Sequence, residues 1–278
     1  MDVFEELVRL RRQGRRCALA TIVQVNGSIP SYLSAKLLVR DDGSLVGTIG
    51  GGCVEAEVWN AAREAMEQGK SKRLSFSLGE DAAYDNGLIC GGQLEVFVEP
   101  IEPQPRAVIF GAGHISKGLA RIASLCGFHT TVVDDRESFA NRERFPDVDE
   151  VLAGPYEELL PKLELHAGSY LIIVTRGHRD DMRVLRLLAD TPAQYIAMIG
   201  SRRKVIAVIR ELEKEGIPAE RFARLHAPMG LEIGAVTPEE IAVSVAAEMI
   251  AVRRNAASGW RALSKSILFR EETKVSSK

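Results

Sequence analysis

Apolar positions along the chain switch between two periods. Val3, Phe4, Leu7, Val8 and Leu10 recur at three- and four-residue spacing, which predicts an amphipathic helix ended by Gly14. Residues 17–25 are small and β-branched and predict a strand, closed by the turn residues Asn26-Gly27-Ser28-Ile29-Pro30. Residues 36–40 and 45–49 flank Asp41-Asp42-Gly43, a hairpin signature. Val54, Val58, Ala61, Ala62, Ala65 and Met66 then share one helical face, stopped by Gly69. Residues 74–78 and 94–98 predict two more strands around a loop at 79–92.

The pattern changes after a stretch with three prolines in seven residues, 99–105, which predicts a linker because proline continues neither a helix nor a central strand. Beyond it, short continuous apolar runs at 107–110, 129–133, 170–174 and 194–199, with a weaker one at 150–152, alternate with helical segments at 113–126, 183–189 and 201–215. Such alternation predicts a parallel sheet covered on both faces. A last helix starts at Thr237-Pro238-Glu239-Glu240, where Thr237 and Glu240 form a capping box, and runs to about Arg254. The fold class expected is α/β: a Rossmann-type doubly wound parallel sheet at 106–256, preceded by a smaller α+β domain at 1–99 and followed by a tail at 257–278 whose last residues, 271–278, read as disordered.

Length and charge exclude several classes of function. The 278 residues suffice for two domains with cores, and a net charge of −2 gives no electrostatic reason to expect nucleic acid or a membrane surface as partner. No apolar run reaches the length of a membrane span. The start of the chain is acidic, without the features of a secretory leader, so a cytoplasmic protein with free thiols is expected. A homodimer is the prior for such a protein.

Candidate chemistry lies in four segments. Gly111-Ala112-Gly113-His114 follows the first strand of the second half, where a GxG lets backbone N–H groups approach a phosphate at a helix N-terminus. Ser116 holds the place of the usual third glycine, and Asp134 closes the next strand where an acidic residue can bind ribose hydroxyls. Arg136 beside it leaves NAD and NADP both open. Thr175-Arg176-Gly177-His178 and Gly200-Ser201-Arg202-Arg203-Lys204 follow two later strands, so the three loops converge on one sheet edge. There Arg202 and Arg203 can fork onto a phosphate, and His178 can serve as general acid or base. Finally, Gly50-Gly51-Gly52-Cys53-Val54-Glu55 puts a thiol at a helix N-terminus, a setting that favours thiolate and suits sulfur chemistry or a soft metal centre. Cys90-Gly91-Gly92 repeats the glycine-flanked thiol, whereas Cys17 and Cys126 fall at packing positions.

Taken in order, these segments resemble the xanthine dehydrogenase accessory family, the maturation factors of molybdenum hydroxylases. The resemblance spans nearly the whole chain and rests on Gly27-Ser28-Ile29-Pro30, Gly47-Thr48-Ile49 with the glycine-triplet-cysteine run, Cys90-Gly91-Gly92, Phe110-Gly111-Ala112-Gly113-His114, Thr175 to His178 with Asp181, Ile199 to Lys204, and residues 228–243. It departs at Ile29, where the family often has Thr, and at 32–34, where an Arg is absent. The resemblance implies a chaperone rather than an enzyme. It would bind the molybdenum cofactor, a pterin dithiolene with a phosphate, shelter it while a cysteine desulfurase supplies sulfur, and pass it to xanthine dehydrogenase or a related hydroxylase. Cys53 would then ligate molybdenum or relay sulfur, with Gly50, Gly51, Gly52 and Cys90 around the cofactor and Gly111, Gly113, His114, Asp134, Arg202 and Arg203 holding phosphate or nucleotide. Two other readings compete: an NAD(P)-dependent oxidoreductase with His178 as acid/base, and a nucleotide-sensing regulatory module.

Overall fold

The computed structural model describes residues 2–28, 31–77, 92–257 and 259–267, and the chain divides into two units, Met1–Pro103 and Gln104–Lys278. In the first, helix α1 (Val3–Arg12) starts at Asp2, whose carboxylate accepts from the Phe4 and Glu5 N–H groups at 2.8 and 3.2 Å. Strands β1 (Cys17–Asn26), β2 (Lys36–Arg40) and β3 (Leu45–Gly47) lead into α2 (Gly52–Gln68), then β4 (Lys72–Ser77) and β5 (Gln93–Ile101). The antiparallel sheet runs β3-β2-β1-β5-β4. The period of two sorts β1 between two cores. Ala18, Ala20 and Ile22 pack with Val54, Val58 and Ala62 of α2, while Cys17 and Leu19 pack with Leu10 of α1.

The expected linker begins three residues too early, because Glu99, Pro100 and Ile101 still belong to β5. The pairing of β5 with β4 ends at Val98, so Pro100 faces a partner on the β1 side only and its missing N–H leaves no gap in the ladder on the other.

The second unit alternates as the apolar runs predict. Its elements are β6 (Arg106–Phe110), α3 (His114–Leu125), β7 (His129–Asp134), β8 (Glu150–Ala153), α4 (Tyr156–Leu159), β9 (Ser169–Ile173), α5 (His178–Leu188), β10 (Tyr195–Met198), α6 (Arg202–Lys214), β11 (Leu225–His226), α7 (Pro238–Arg253) and α8 (Gly259–Leu263). All strands are parallel, in the order β11-β10-β9-β6-β7-β8. Counted within the unit this is 6-5-4-1-2-3, the doubly wound Rossmann order, with its switch point between β6 and β9. Ala107, Ile109, Tyr170 and Ile172 face α3 and α7, whereas Val108, Phe110, Leu171 and Ile173 face α5 and α6.

Three features differ from expectation. Helix α5 begins at His178, five residues before the predicted start, because Gly177 caps it and Asp180 and Asp181 suit the positive end of a helix. Strand β11 and the one-turn α4 have too few residues to show a period. The stretch expected as a tail belongs to the unit as far as Ile267: Ser264 bridges Leu231, and Ser264 and Ser266 are buried. Residues 271–278, and the thiol of Cys90, lie outside the described residues. Among the described residues no helix is long and apolar enough to cross a membrane.

Among the described residues of the first unit, one acid, Glu6, is buried. Glu6 Oε1 lies 2.6 Å from both Arg9 Nη2 and Arg40 Nε, and Oε2 accepts from Arg9 Nε at 2.7 Å. The hydrogen bonds from Arg9, with help from Arg40, outweigh burial and hold the carboxyl at about 2. A depressed carboxyl pKa stabilises the fold above the unfolded value of 4.5, and that contribution is lost as pH falls toward about 2. Thermal melts across this window should show a falling Tm. Glu6→Gln should lower Tm at neutral pH and flatten the acid limb; an unchanged acid limb would contradict this assignment.

Candidate functional site

The cysteine loop of the first unit is held in a backbone shape open to few residues. Gly50, Gly51 and Gly52 have φ of +121°, +79° and +64°, three successive left-handed residues. Glu55 fixes them: its Oε1 accepts from Thr48 Oγ1 at 2.6 Å, Ile49 N at 3.1 Å and Gly51 N at 3.0 Å, and Gly50 N donates to Thr48 Oγ1 at 3.2 Å. Burial works against the Glu55 charge, but the bonds from Thr48, Ile49 and Gly51 prevail and leave its pKa lowered. Cys53 is thereby presented in the first turn of α2 with its thiol exposed. Cys17 is buried and Cys126 half-buried, the packing positions expected of them.

In the second unit, the loops after β6, β7, β9 and β10 all leave the carboxyl edge of the parallel sheet, as the motif reading requires. Gly111 sits at the switch point with φ +109°, and a Cβ there would stand 2.4 Å from the Val174 carbonyl oxygen. Glycine therefore lets the β6 loop pass the end of β9. Ser116, in the place of the third glycine, is buried and donates to Gly111 O at 2.5 Å, so it fastens the loop it was expected only to fit beneath. Asp134 is also buried. Its Oδ2 accepts from Ala112 N at 2.7 Å and from Arg136 Nη2 at 2.9 Å, and its Oδ1 from Arg136 N and Nε at 3.0 and 2.8 Å. Burial opposes the Asp134 charge, and Arg136 and the Ala112 N–H more than offset it, leaving the pKa lowered. Both carboxylate oxygens thus have partners within the chain. Arg136 also lies over the Phe139 ring at 3.8 Å.

His114 and His178 are exposed and open α3 and α5 respectively. A second lock joins two motifs. Asp181, fully buried on α5, accepts from Thr175 Oγ1 at 2.5 Å on one oxygen and takes Lys204 as ion-pair partner on the other. Burial pushes the Asp181 pKa up, against Lys204 and Thr175. Lys204 reaches this carboxylate across Gly200, where a Cβ would meet its Cδ at 2.9 Å. Arg202 and Arg203 are exposed, with no ion-pair partner among the described residues.

Six of the helix starts fall into two groups. Among the described residues, α1, α6 and α7 are capped by the side chains of Asp2, Ser201 and Thr237. Helices α2, α3 and α5 are capped by Gly51, Gly113 and Gly177 and carry no side-chain cap. A Cβ at any of those three glycines would meet no described atom within 4 Å. Among the described residues, the glycine-capped starts are those of the cysteine loop, the GxG loop and the Thr175-to-His178 loop, where no cap side chain takes the first-turn N–H groups.

The XdhC Rossmann domain family matches residues 107–249, and the XdhC and CoxI family matches residues 10–77. The chain belongs to the XdhC and CoxI family. It is 38% identical over 260 residues to the uncharacterized protein YqeB of Escherichia coli K12, covering 93% of this chain and 48% of YqeB. The chain therefore spans about half the length of YqeB. It is 25% identical over 316 residues to a probable xanthine dehydrogenase subunit of Bacillus subtilis, covering 86% of this chain and 94% of the relative. It is 23% identical over 272 residues to the molybdenum cofactor insertion chaperone PaoD of Escherichia coli K12, covering 86% and 84%. A solved xanthine dehydrogenase structure from Bacillus halodurans shares the fold, with a TM-score of 0.50, 23% identity and coverage of 93% and 98%.

This XdhC-family chain also carries polar groups that motif reading missed. Glu248 of α7 is buried and accepts from Tyr195 Oη at 2.8 Å, Gly230 N at 2.9 Å and Ser264 Oγ at 2.6 Å, with His226 Nδ1 at 3.4 Å. Its signal in the sequence was a single charge inside the apolar run Val245 to Ile250. Lys204, read in the sequence only as part of the loop after a later strand, is the partner of a buried acid.

Two outcomes follow for stability. Gly111→Ala should lower unfolding free energy by roughly 3 kcal/mol through strain at a positive φ and the Val174 contact, read by urea denaturation. Wild-type stability in that variant would refute the close approach. Lys204→Met leaves a buried carboxylate without its ion-pair partner and should cost on the order of 3 kcal/mol, most of it recovered when Asp181→Asn is added. A double variant no more stable than the single would show that the two groups do not act as a pair.

Proposed function

We propose that this chain is a maturation factor for a molybdenum hydroxylase: it binds the molybdenum cofactor, shelters it during sulfuration by a cysteine desulfurase, and passes it to xanthine dehydrogenase or a related enzyme. The family assignment and the names of the relatives support a xanthine dehydrogenase accessory role in cofactor maturation. A cytoplasmic homodimer is part of the same proposal.

The observation that carries the reading is Cys53. A soft thiol stands exposed at a helix N-terminus on a rigid loop of three left-handed glycines braced by Glu55. That donor fits a soft metal centre. When bound, the cofactor supplies a molybdenum centre on a pterin dithiolene that bears a phosphate. Cys53 holds the metal or relays sulfur, Gly50 to Gly52 keep the approach to the thiol clear, and Glu55 fixes the loop. Within the second unit, taken by itself, the open start of α3 at Gly113 and His114 suits the phosphate of a nucleotide. Asp134 holds that loop in shape through Ala112 N rather than presenting a free carboxylate to a ribose. The oxidoreductase reading needs Asp134 released from Arg136, and no observation favours that release.

The test is molybdenum and pterin content after the purified protein is mixed with freshly released cofactor and passed through gel filtration. Wild type should retain near-stoichiometric amounts. Cys53→Ala should retain less by roughly tenfold or more, with an unchanged melting profile because the side chain is exposed. Equal retention by the variant would remove the thiol from the proposal. No retention by wild type would remove the proposal itself.

A further inference from the structure

The α5 and α6 helices leave between their starts a groove of about 720 Å³ that the proposed function does not use. Its walls differ in chemistry. His178, Arg179 and Arg203 stand at the end where both helices begin, Met182 and Val208 line the middle, and Glu211 stands on the α6 side. Arg179 and Arg203 have no ion-pair or hydrogen-bond partner among the described residues. Lys204, which also reaches the groove, is committed to Asp181. The α5 start at Gly177 has no side-chain cap, so its N–H groups add to the positive end. Glu211 lies two turns further along α6, where it pairs with Lys214 at 2.9 Å. The groove is thus polarised: cationic at one end, apolar between, and acidic at the other. Its volume is that of a small-molecule site.

We propose that this groove binds a phosphate ester of a nitrogen heterocycle, a ligand of the nucleoside monophosphate class. Arg179 and Arg203 take the phosphate with the α5 N–H groups. The flat ring lies on Met182 and Val208, and a ring N–H or amino group donates to Glu211. The site is lined by residues of the second unit, and its ligand is either a free nucleotide or the nucleotide arm of a larger dinucleotide.

Isothermal titration of the full chain tests this with adenosine monophosphate, inorganic phosphate and NAD as probes. Adenosine monophosphate should bind saturably, and inorganic phosphate more weakly by roughly tenfold or more, because it leaves the apolar wall and Glu211 unused. Arg203→Ala and Arg179→Ala should each weaken the nucleotide by roughly tenfold with unchanged melting profiles. If NAD competes with the monophosphate and loses affinity in Arg203→Ala, the ligand is a dinucleotide arm; if NAD does not compete, it is a free mononucleotide. Absence of saturable binding overturns the proposal. So does binding that survives both arginine variants, or binding abolished by Gly113→Asp and untouched by Arg203→Ala, which would assign it to the GxG loop. These outcomes are independent of molybdenum retention by Cys53.

Discussion

The second unit depends on how a buried carboxylate at the end of β7 is satisfied. Asp134 ends β7 and holds Ala112 N, the centre of the GxG loop, at 2.7 Å, while Arg136 covers the rest of the charge. Gly111 permits this because only glycine can pass the Val174 carbonyl there, and Ser116 ties the same loop back from below. Removing any of these groups would leave a polar atom buried without a partner or force backbone into occupied space. The result is a glycine loop held in shape by the protein's own acid.

Locking the frame leaves the helix starts free. Where a side chain caps a helix, as at Asp2, Ser201 and Thr237, the N–H groups are used internally. Where glycine caps it, at Gly51, Gly113 and Gly177, no cap side chain takes them. These three starts carry Cys53, His114 and His178. Charge follows the same division: Lys204 serves the buried Asp181, whereas Arg179 and Arg203 face a groove.

Local signals in the sequence were sufficient for most of the fold. The capping box at Thr237 and Glu240, the stop at Gly69 and the alternating apolar runs each act within a few residues, and each appears as expected. What was not legible is non-local. Pro100 stays in its strand because β4 stops short of it. Ser264 and Ser266 are buried because Glu248 and Leu225 need them. Asp181 counted toward the family resemblance, but its ion pair was not legible because its partner Lys204 lies in another motif. The motifs that carry Glu55 and Asp134 stand out in the sequence, but not that each acid turns its charge inward to hold a loop.

The role proposed for this family member is to prepare a molybdenum cofactor for a hydroxylase. Its most direct test is transfer: cofactor-loaded protein and an equal amount of free cofactor are each added to apo xanthine dehydrogenase, and the recovered hydroxylase activity is measured. Faster and more complete recovery with the loaded protein is the predicted result. Recovery no better than with free cofactor would contradict the proposed role.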